Sequence, residues 1–285
     1  VLAALDALSP LAPLHQPHNL AAVRAIAQHR PRLPQVACFD TAFHQAQPEV
    51  ARRVALPRGL SAKGIRRYGF HGISYAYIAR CLAERDAPTA GGRVIAAHLG
   101  NGASLCAMKG GHSIESTMGF TALDGLVMGT RCGTIDPGIL IYLMQQGMSL
   151  KAIEHMLYSE SGLLGVSGVS SDMRTLLASH ETAAAEAVEL FIYRIVMQSG
   201  ALAASLEGLD AFIFTGGIGE NAAPIRNRVA KGLQWLGACL DPSANERGDY
   251  LISAPESRIK LRVLPTDEER MIAIDTQRIL RTEPS

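Results

Sequence analysis

The chain has 285 residues, 48% of them apolar and 19% charged, and its 27 Lys and Arg nearly balance 26 Asp and Glu at a net charge of +1. That is chain enough for about two domains with a sizeable core, and the even balance supplies no basic footprint for nucleic acid. Five scattered cysteines without a CxxC pair read as free thiols in a reducing compartment, and no uninterrupted apolar run reaches the ~18 residues of a membrane span.

The opening residues carry Asp6 and no basic cluster, so they do not form a secretory signal. A start on Val, in mid-pattern and without Met, raises the expectation that further residues precede it. Residues 1–18 read as a short helical piece running into a loop, and Asn19 as the cap of a helix over 20–28. Residues 35–39 (QVACF) read as a strand that delivers Asp40 at its end. Between 41 and 65, Pro48, Pro57, Gly59 and Gly64 interrupt any period. A turn over 68–72 then leads to a helix through Glu84 that Ser74 is placed to cap.

Residues 93–98 (RVIAAH) form a buried type of strand. Residues 104–108 and 112–116, joined by Gly110-Gly111, read as a hairpin. Asp136-Pro137 is a cap followed by Pro at the first helical position, and Ser149 opens the next helix. Ser170-Ser171-Asp172 starts another helix, followed by a long apolar one over 182–205. A strand over 211–214, a glycine turn at 216–219, a helix over 224–235, a strand over 259–264 and a helix over 267–280 complete an α/β chain.

The stretch from His98 to Pro137 concentrates the chemistry. Its glycines exclude helix, each costing roughly 1 kcal/mol against Ala, and they let backbone approach a ligand closely. His98-Leu99-Gly100-Asn101-Gly102 leaves a strand by a glycine turn whose N–H groups suit an anion; a plain hairpin with a half-buried His is the alternative. Thr215 to Asn221 repeats strand, glycine turn and helix start, without Walker or dinucleotide spacing. Two such events imply nucleotide phosphates. His98 and Arg131 are candidate cations at the ends of the stretch. Arg131, between Gly129 and Gly133, needs an anionic partner, either Asp124 or a transferring phosphoryl group. His71 is a turn residue or a site residue; Asp40 is a helix or Asx cap, or a site carboxylate. Asp172 sits in a helix first turn, where any acid is favourable. In Thr266-Asp267-Glu268-Glu269, a cap on Thr266 occupies Glu269 in a capping box and leaves Glu268 for a metal.

In this order, CFDTAFH (Cys38–His44), YGFHG (Tyr68–Gly72), HLGNGAS (His98–Ser104), MGTRCGTIDP (Met128–Pro137), SSDMR (Ser170–Arg174), FTGGIGEN (Phe214–Asn221) and PTDEE (Pro265–Glu269) closely resemble the acetate kinase family. The resemblance spans nearly the whole chain. It implies an actin-like ATPase fold of the sugar kinase, Hsp70 and actin type, with a partial first domain (1–42), a complete second domain for nucleotide binding and dimerisation (43–266) and a C-terminal helix (267–285) returning to the first. The implied activity is reversible phosphorylation of a short carboxylate by ATP with Mg²⁺, in a cytoplasmic homodimer with no nucleic-acid or membrane partner.

By motif match, Asp40, His71 and Arg131 are implied as catalytic. His98, Leu99, Gly100, Asn101 and Gly102 are implied as the second phosphate loop. Asp172, Met173 and Arg174 with Gly217, Ile218, Gly219, Glu220 and Asn221 are implied on the adenosine side, and Glu268 as the magnesium carboxylate. Leu14, Phe70 and Ala122 are implied around the acyl group. Several positions depart from the family pattern. The NxGSSSxK first phosphate loop and a carboxylate-binding Arg are not in this chain, whose Leu11–Pro17 (LAPLHQP) matches the family's LAPLHNP. Ile73-Ser74-Tyr75 replaces TSH, Thr134 replaces an Asp, and Ala122 replaces a Pro, which implies a pocket that also admits propionate. The alternatives are a truncated, non-catalytic nucleotide-binding or dimerisation module, with the helix over 182–205 as the packing face, and an actin- or Hsp70-like ATPase.

Overall fold

The computed structural model describes residues 2–7, 9 and 16–282. Among them, one five-stranded sheet organises the chain: β1 (Arg93–Leu99), β2 (Ala103–Lys109), β3 (His112–Ser116), β4 (Ala211–Thr215) and β5 (Lys260–Val263), in the order β3-β2-β1-β4-β5. The first three are an antiparallel meander, and β4 and β5 then add parallel to β1. Gly110 and Gly111 join β2 to β3 with φ of 58° and 79°, the double left-handed geometry that two-residue hairpins favour. This βββαβαβ order, closed by a final helix, is one copy of the unit that builds the actin-like ATPase fold.

Helices cover both faces, which is why the strands are apolar without alternation. On one face Ile95, Ala97, Phe212 and Phe214 pack against α2 (Thr182–Ser205), the following short helix α3 (Gly216–Asn221) and α4 (Ala223–Gly232). On the other, Val94, Ala96, Cys106 and Ile213 meet Tyr75, Ile78 and Leu82 of α1 (Gly72–Arg85). The final helix, α5 (Glu268–Thr282), lies against α1. By length and composition α2 would also pass for a membrane span. Here its Ala184, Val188, Phe191, Ile195 and Leu202 are buried in the sheet core.

Several expectations are corrected. Residues 35–39 are not a strand: no neighbouring strand among the described residues meets their backbone groups, and Phe39 is half exposed. Asn19 lies inside a helix, Gln16–His29, rather than capping it. Ser74 is buried within the first turn of α1, whose cap position is His71. The glycine turn at 216–219 is the first part of α3, with Thr215 at the position before it. Asp267, not Thr266, caps α5, accepting the N–H of Arg270 at 2.9 Å. The expected caps at Asp136, Ser149 and Asp172 are present, each accepting a backbone N–H.

Candidate active site

The parallel pairing of β1 with β4 places His98 opposite Thr215, so the two glycine segments leave the sheet side by side at its carboxyl end. Gly216, at φ 76°, lies against β1: a Cβ there would be 2.8 Å from the Leu99 carbonyl oxygen. A cavity of about 510 Å³ opens between these segments, lined by Gly100, Asn101, Gly217, Ile218 and Asn221 on one side and by Asp172, Met173 and Arg174 on the other. Eight expected nucleotide-side residues therefore meet in one cleft, of a size that holds a small-molecule ligand.

The remaining expected contacts do other work. Gly219 is buried against Phe214 and the Ala97 carbonyl. Glu220 turns its carboxylate back, accepting the N–H groups of Gly216 at 2.9 Å and Thr266 at 3.2 Å, and so ties α3 to the end of β5. On the cleft wall itself, Asp172 is held by Arg174, which brings its carboxyl down to about 2. Sequence reasoning missed Ser171, Leu177 and Ala222 on the cleft wall. It also missed Arg226, 2% exposed, whose Nη1 donates to the carbonyls of Gly219 and Glu220 at the end of α3.

Beside this cleft, Gly102, His71 and Arg131 converge. A Cβ on Gly102 would lie 2.7 Å from Arg131 Nη2 and 3.2 Å from His71 Nε2. Arg131 is not paired with Asp124, which binds Arg67 at 3.0 Å; its Nη1 donates to the Ala122 carbonyl at 2.7 Å. Among the described residues no carboxylate is within ion-pair distance of Arg131, and burial lowers its pKa from the usual value. A desolvated guanidinium without a counter-ion is suited to an anionic ligand. Its loop is held by backbone bonds from Ser161, Leu163 and Leu164 to Thr130, Met128 and Gly129. Gly162, at φ 64°, permits that docking, since a Cβ would sit 2.2 Å from the Met128 carbonyl oxygen.

His71 takes a left-handed backbone conformation, φ 55° and ψ 25°, at the head of α1, a strained state for a residue other than Gly that the surroundings must enforce. Asp40 enforces it. Its carboxylate accepts the N–H groups of His71 at 2.7 Å and Ile73 at 3.2 Å, and its carbonyl takes that of Gly72 at 2.9 Å. Asp40 thus binds the first turn of α1 from a distant segment and stands next to His71. Phe70 and Ala122 both pack on the core next to these groups, and Leu14 lies outside the described residues.

His98 is not a cation. Burial pushes it down to about 4, so it is neutral at physiological pH. Its Nδ1 is 2.9 Å from Ser74 Oγ, which also meets Thr266 Oγ1 at 2.8 Å, and its ring stacks on His71 at 4.3 Å.

Glu268 is half-buried, and its carboxyl is raised by desolvation and then by the negative charge of Asp40. Two carboxylates near enough for one to raise the other's pKa suit a hard divalent cation, and Mg²⁺ in particular takes one or two carboxylates plus substrate phosphates and water. No larger group of His, Cys, Asp or Glu gathers among the described residues. A raised carboxyl contributes stability that is complete below its unfolded pKa and lost as pH rises through the folded value. Glu268→Gln is therefore expected to melt at a higher temperature than the parent at neutral pH without metal, with the gap closing as pH falls toward 4.5. Adding Mg²⁺ alone should raise the parent's melting temperature and leave the variant's nearly unmoved; an equal rise in both would exclude Glu268 as a ligand.

The description of the acetokinase family fits residues 1–274. An acetate kinase of Rhodopseudomonas palustris is 58% identical over 277 residues, covering 96% of this chain and 70% of the relative. Two crystal structures superimpose closely. An acetate kinase of Porphyromonas gingivalis gives a TM-score of 0.90 at 43% identity over 98% of this chain and 72% of its own. A propionate kinase of Francisella tularensis gives 0.92 at 42% identity over 97% of this chain and 73% of its own. With the cleft, the Arg131 loop and this breadth of similarity in place, the chain belongs to the acetokinase family.

Proposed function

We propose that this chain catalyses the reversible transfer of the γ-phosphoryl group of ATP to a short-chain carboxylate, acetate and also propionate, to give ADP and an acyl phosphate. The observation that carries this reading is the convergence of a desolvated Arg131, unpaired with any carboxylate among the described residues, with His71 and the Gly102 backbone beside a nucleotide-sized cleft. A carboxylate oxygen forms the new bond to the γ-phosphorus, and the bond to the β,γ-bridging oxygen breaks, its electron pair leaving with ADP. The nucleophile is already ionised at neutral pH, so no residue has to remove a proton. What the site must supply is alignment and charge neutralisation.

Arg131 neutralises equatorial oxygens of the transferring group, and His71 faces the same point. Asp40 holds His71 and, with Glu268, would hold Mg²⁺, which when bound neutralises phosphate charge. Gly100 to Gly102 lie along the phosphates, and the cleft between Gly217 to Asn221 and Asp172 to Arg174 takes the adenosine. Phe70 and Ala122 border the acyl group, where the small Ala122 leaves room for one more methylene, a difference of about 1–3 kcal/mol in discrimination.

The non-catalytic alternative is not favoured, since the chain covers most of its relatives and keeps the converging groups together. The reading includes division at about residues 42 and 266, a cytoplasmic setting and pairing of two copies through the larger portion. For that pairing, α2 buries one apolar face on the sheet and leaves Tyr193 and Met197 exposed. The helix Pro137–Gln145, with Ile139, Ile141, Tyr142 and Met144 all exposed, offers the better face. Trapping of the acyl phosphate as its hydroxamate, with ATP, Mg²⁺ and either acid, tests the function. No product from either acid would refute it, and a kcat/KM for propionate far below that for acetate would refute the wider pocket.

A further inference from the structure

Behind His71 runs a hydrogen-bonded chain that the reaction itself does not use. His71 Nδ1 lies 2.8 Å from Ser104 Oγ, and Ser104 Oγ makes a short hydrogen bond to the hydroxyl of Tyr75. Ser104 and Tyr75 are both 0% exposed. Burial raises Tyr75 well above the usual tyrosine value, so it keeps its proton. Tyr75 is also one of the positions at which this sequence departs from the family pattern.

We propose that Tyr75 and Ser104 order the protons behind His71 and hold it as the neutral tautomer with hydrogen on Nε2, so that it donates to the transferring phosphoryl group and accepts no proton from the reactants. The inference rests on the catalytic reading of His71 given above. It follows from counting donors and acceptors, because a buried hydroxyl proton left without an acceptor is costly. Three arrangements join the groups. If His71 Nδ1–H donated to Ser104 and Ser104 to Tyr75, the phenolic proton would have no acceptor. If His71 and Tyr75 both donated to Ser104, the serine proton would have none. Among the described residues neither hydroxyl has a further acceptor; the backbone N–H of His98 also bears on the Tyr75 oxygen, but it occupies a lone pair.

Only the sequence Tyr75 to Ser104 to His71 Nδ1 places every proton. Nδ1 is then an acceptor, and the ring hydrogen is on Nε2, the atom facing Gly102 and Arg131. The other described groups around the ring agree. Arg131 disfavours an imidazolium, His98 beneath the ring is neutral, and Asp40 is engaged with the backbone N–H groups of His71 and Ile73. Tyr75 and Ser104 are positioning residues, and the donor they present matches a reaction in which the nucleophile has no proton to lose.

The test is a long-range nitrogen–proton NMR correlation on the full chain labelled with ¹⁵N-histidine, the His71 signals assigned by their loss in His71→Asn. The expected spectrum near neutral pH has a hydrogen-bearing Nε2 and a bare Nδ1. Tyr75→Phe removes one hydroxyl at nearly constant volume. It should mix the tautomers and lower kcat about 10- to 100-fold with KM for ATP nearly unchanged. Hydrogen on Nδ1 in the parent protein, alone or in an imidazolium, overturns the proposal, as does a Tyr75→Phe protein with unchanged spectrum and kcat. If Tyr75→Phe does not fold, the parent spectrum alone decides. Full activity in His71→Asn would overturn the donor role and with it the catalytic reading of His71, while the spectrum reports on the proton order independently.

Discussion

Replacing Arg131 with Ala is expected to lower kcat by about 10³-fold or more, the range that an arginine supplies to phosphoryl transfer, without lowering the melting temperature. The two halves of this expectation come from one fact. Burial lowers the pKa of Arg131 and, among the described residues, no carboxylate pairs with it, so in the free protein its charge is a net cost to folding. Removing it forfeits one hydrogen bond, to the Ala122 carbonyl, but also relieves that desolvation. Arg131→Lys keeps the charge without the planar fork and should recover only a small part of the rate. Hydroxamate formation read beside thermal melts decides the matter. A large fall in melting temperature with kcat nearly intact would mean that Arg131 is a structural residue.

Gly102→Ala is expected to cost about 10²-fold in kcat, the scale on which a misplacement of about 1 Å acts, with little change in stability. The added Cβ would meet Arg131 Nη2 at 2.7 Å and His71 Nε2 at 3.2 Å. Both are side-chain tips that can move aside, so the fold survives while the two groups proposed to face the phosphoryl position are displaced. Gly162→Ala is the control: its clash is with the Met128 carbonyl oxygen at 2.2 Å, at a left-handed backbone position, and it should lower the melting temperature along with the rate. Parent-like kcat in Gly102→Ala would show that the point where these groups converge is not where the reaction occurs.

Much of this was legible in the chain itself. The apolar strands, the Gly110-Gly111 hairpin and the caps at Asp136, Ser149 and Asp172 are written in local chemistry: turn conformations only glycine takes easily, and side chains that bind the next turn's N–H groups. The strand expected at 35–39 failed because a strand is a property of a pair, and an apolar pentapeptide does not announce whether a neighbour exists. The cap expected on Thr266 moved to Asp267 because Thr266 is engaged by Ser74 and Glu220, two residues that lie far away in sequence.

The sequence by itself determined which residue types are available for the chemistry: two glycine segments after apolar strands, an arginine among glycines, and carboxylates at Asp40 and Glu268. Only the tertiary structure decided their states. His98, a candidate cation by sequence, is made neutral by burial; Arg131 has no carboxylate partner among the described residues, Asp124 being taken by Arg67; burial, and then the charge of Asp40, raises Glu268 at the start of α5. The reason is physical. Charge state and hydrogen-bond direction depend on solvent exclusion and on neighbours within a few ångströms, and in this fold those neighbours come from segments tens to hundreds of residues apart.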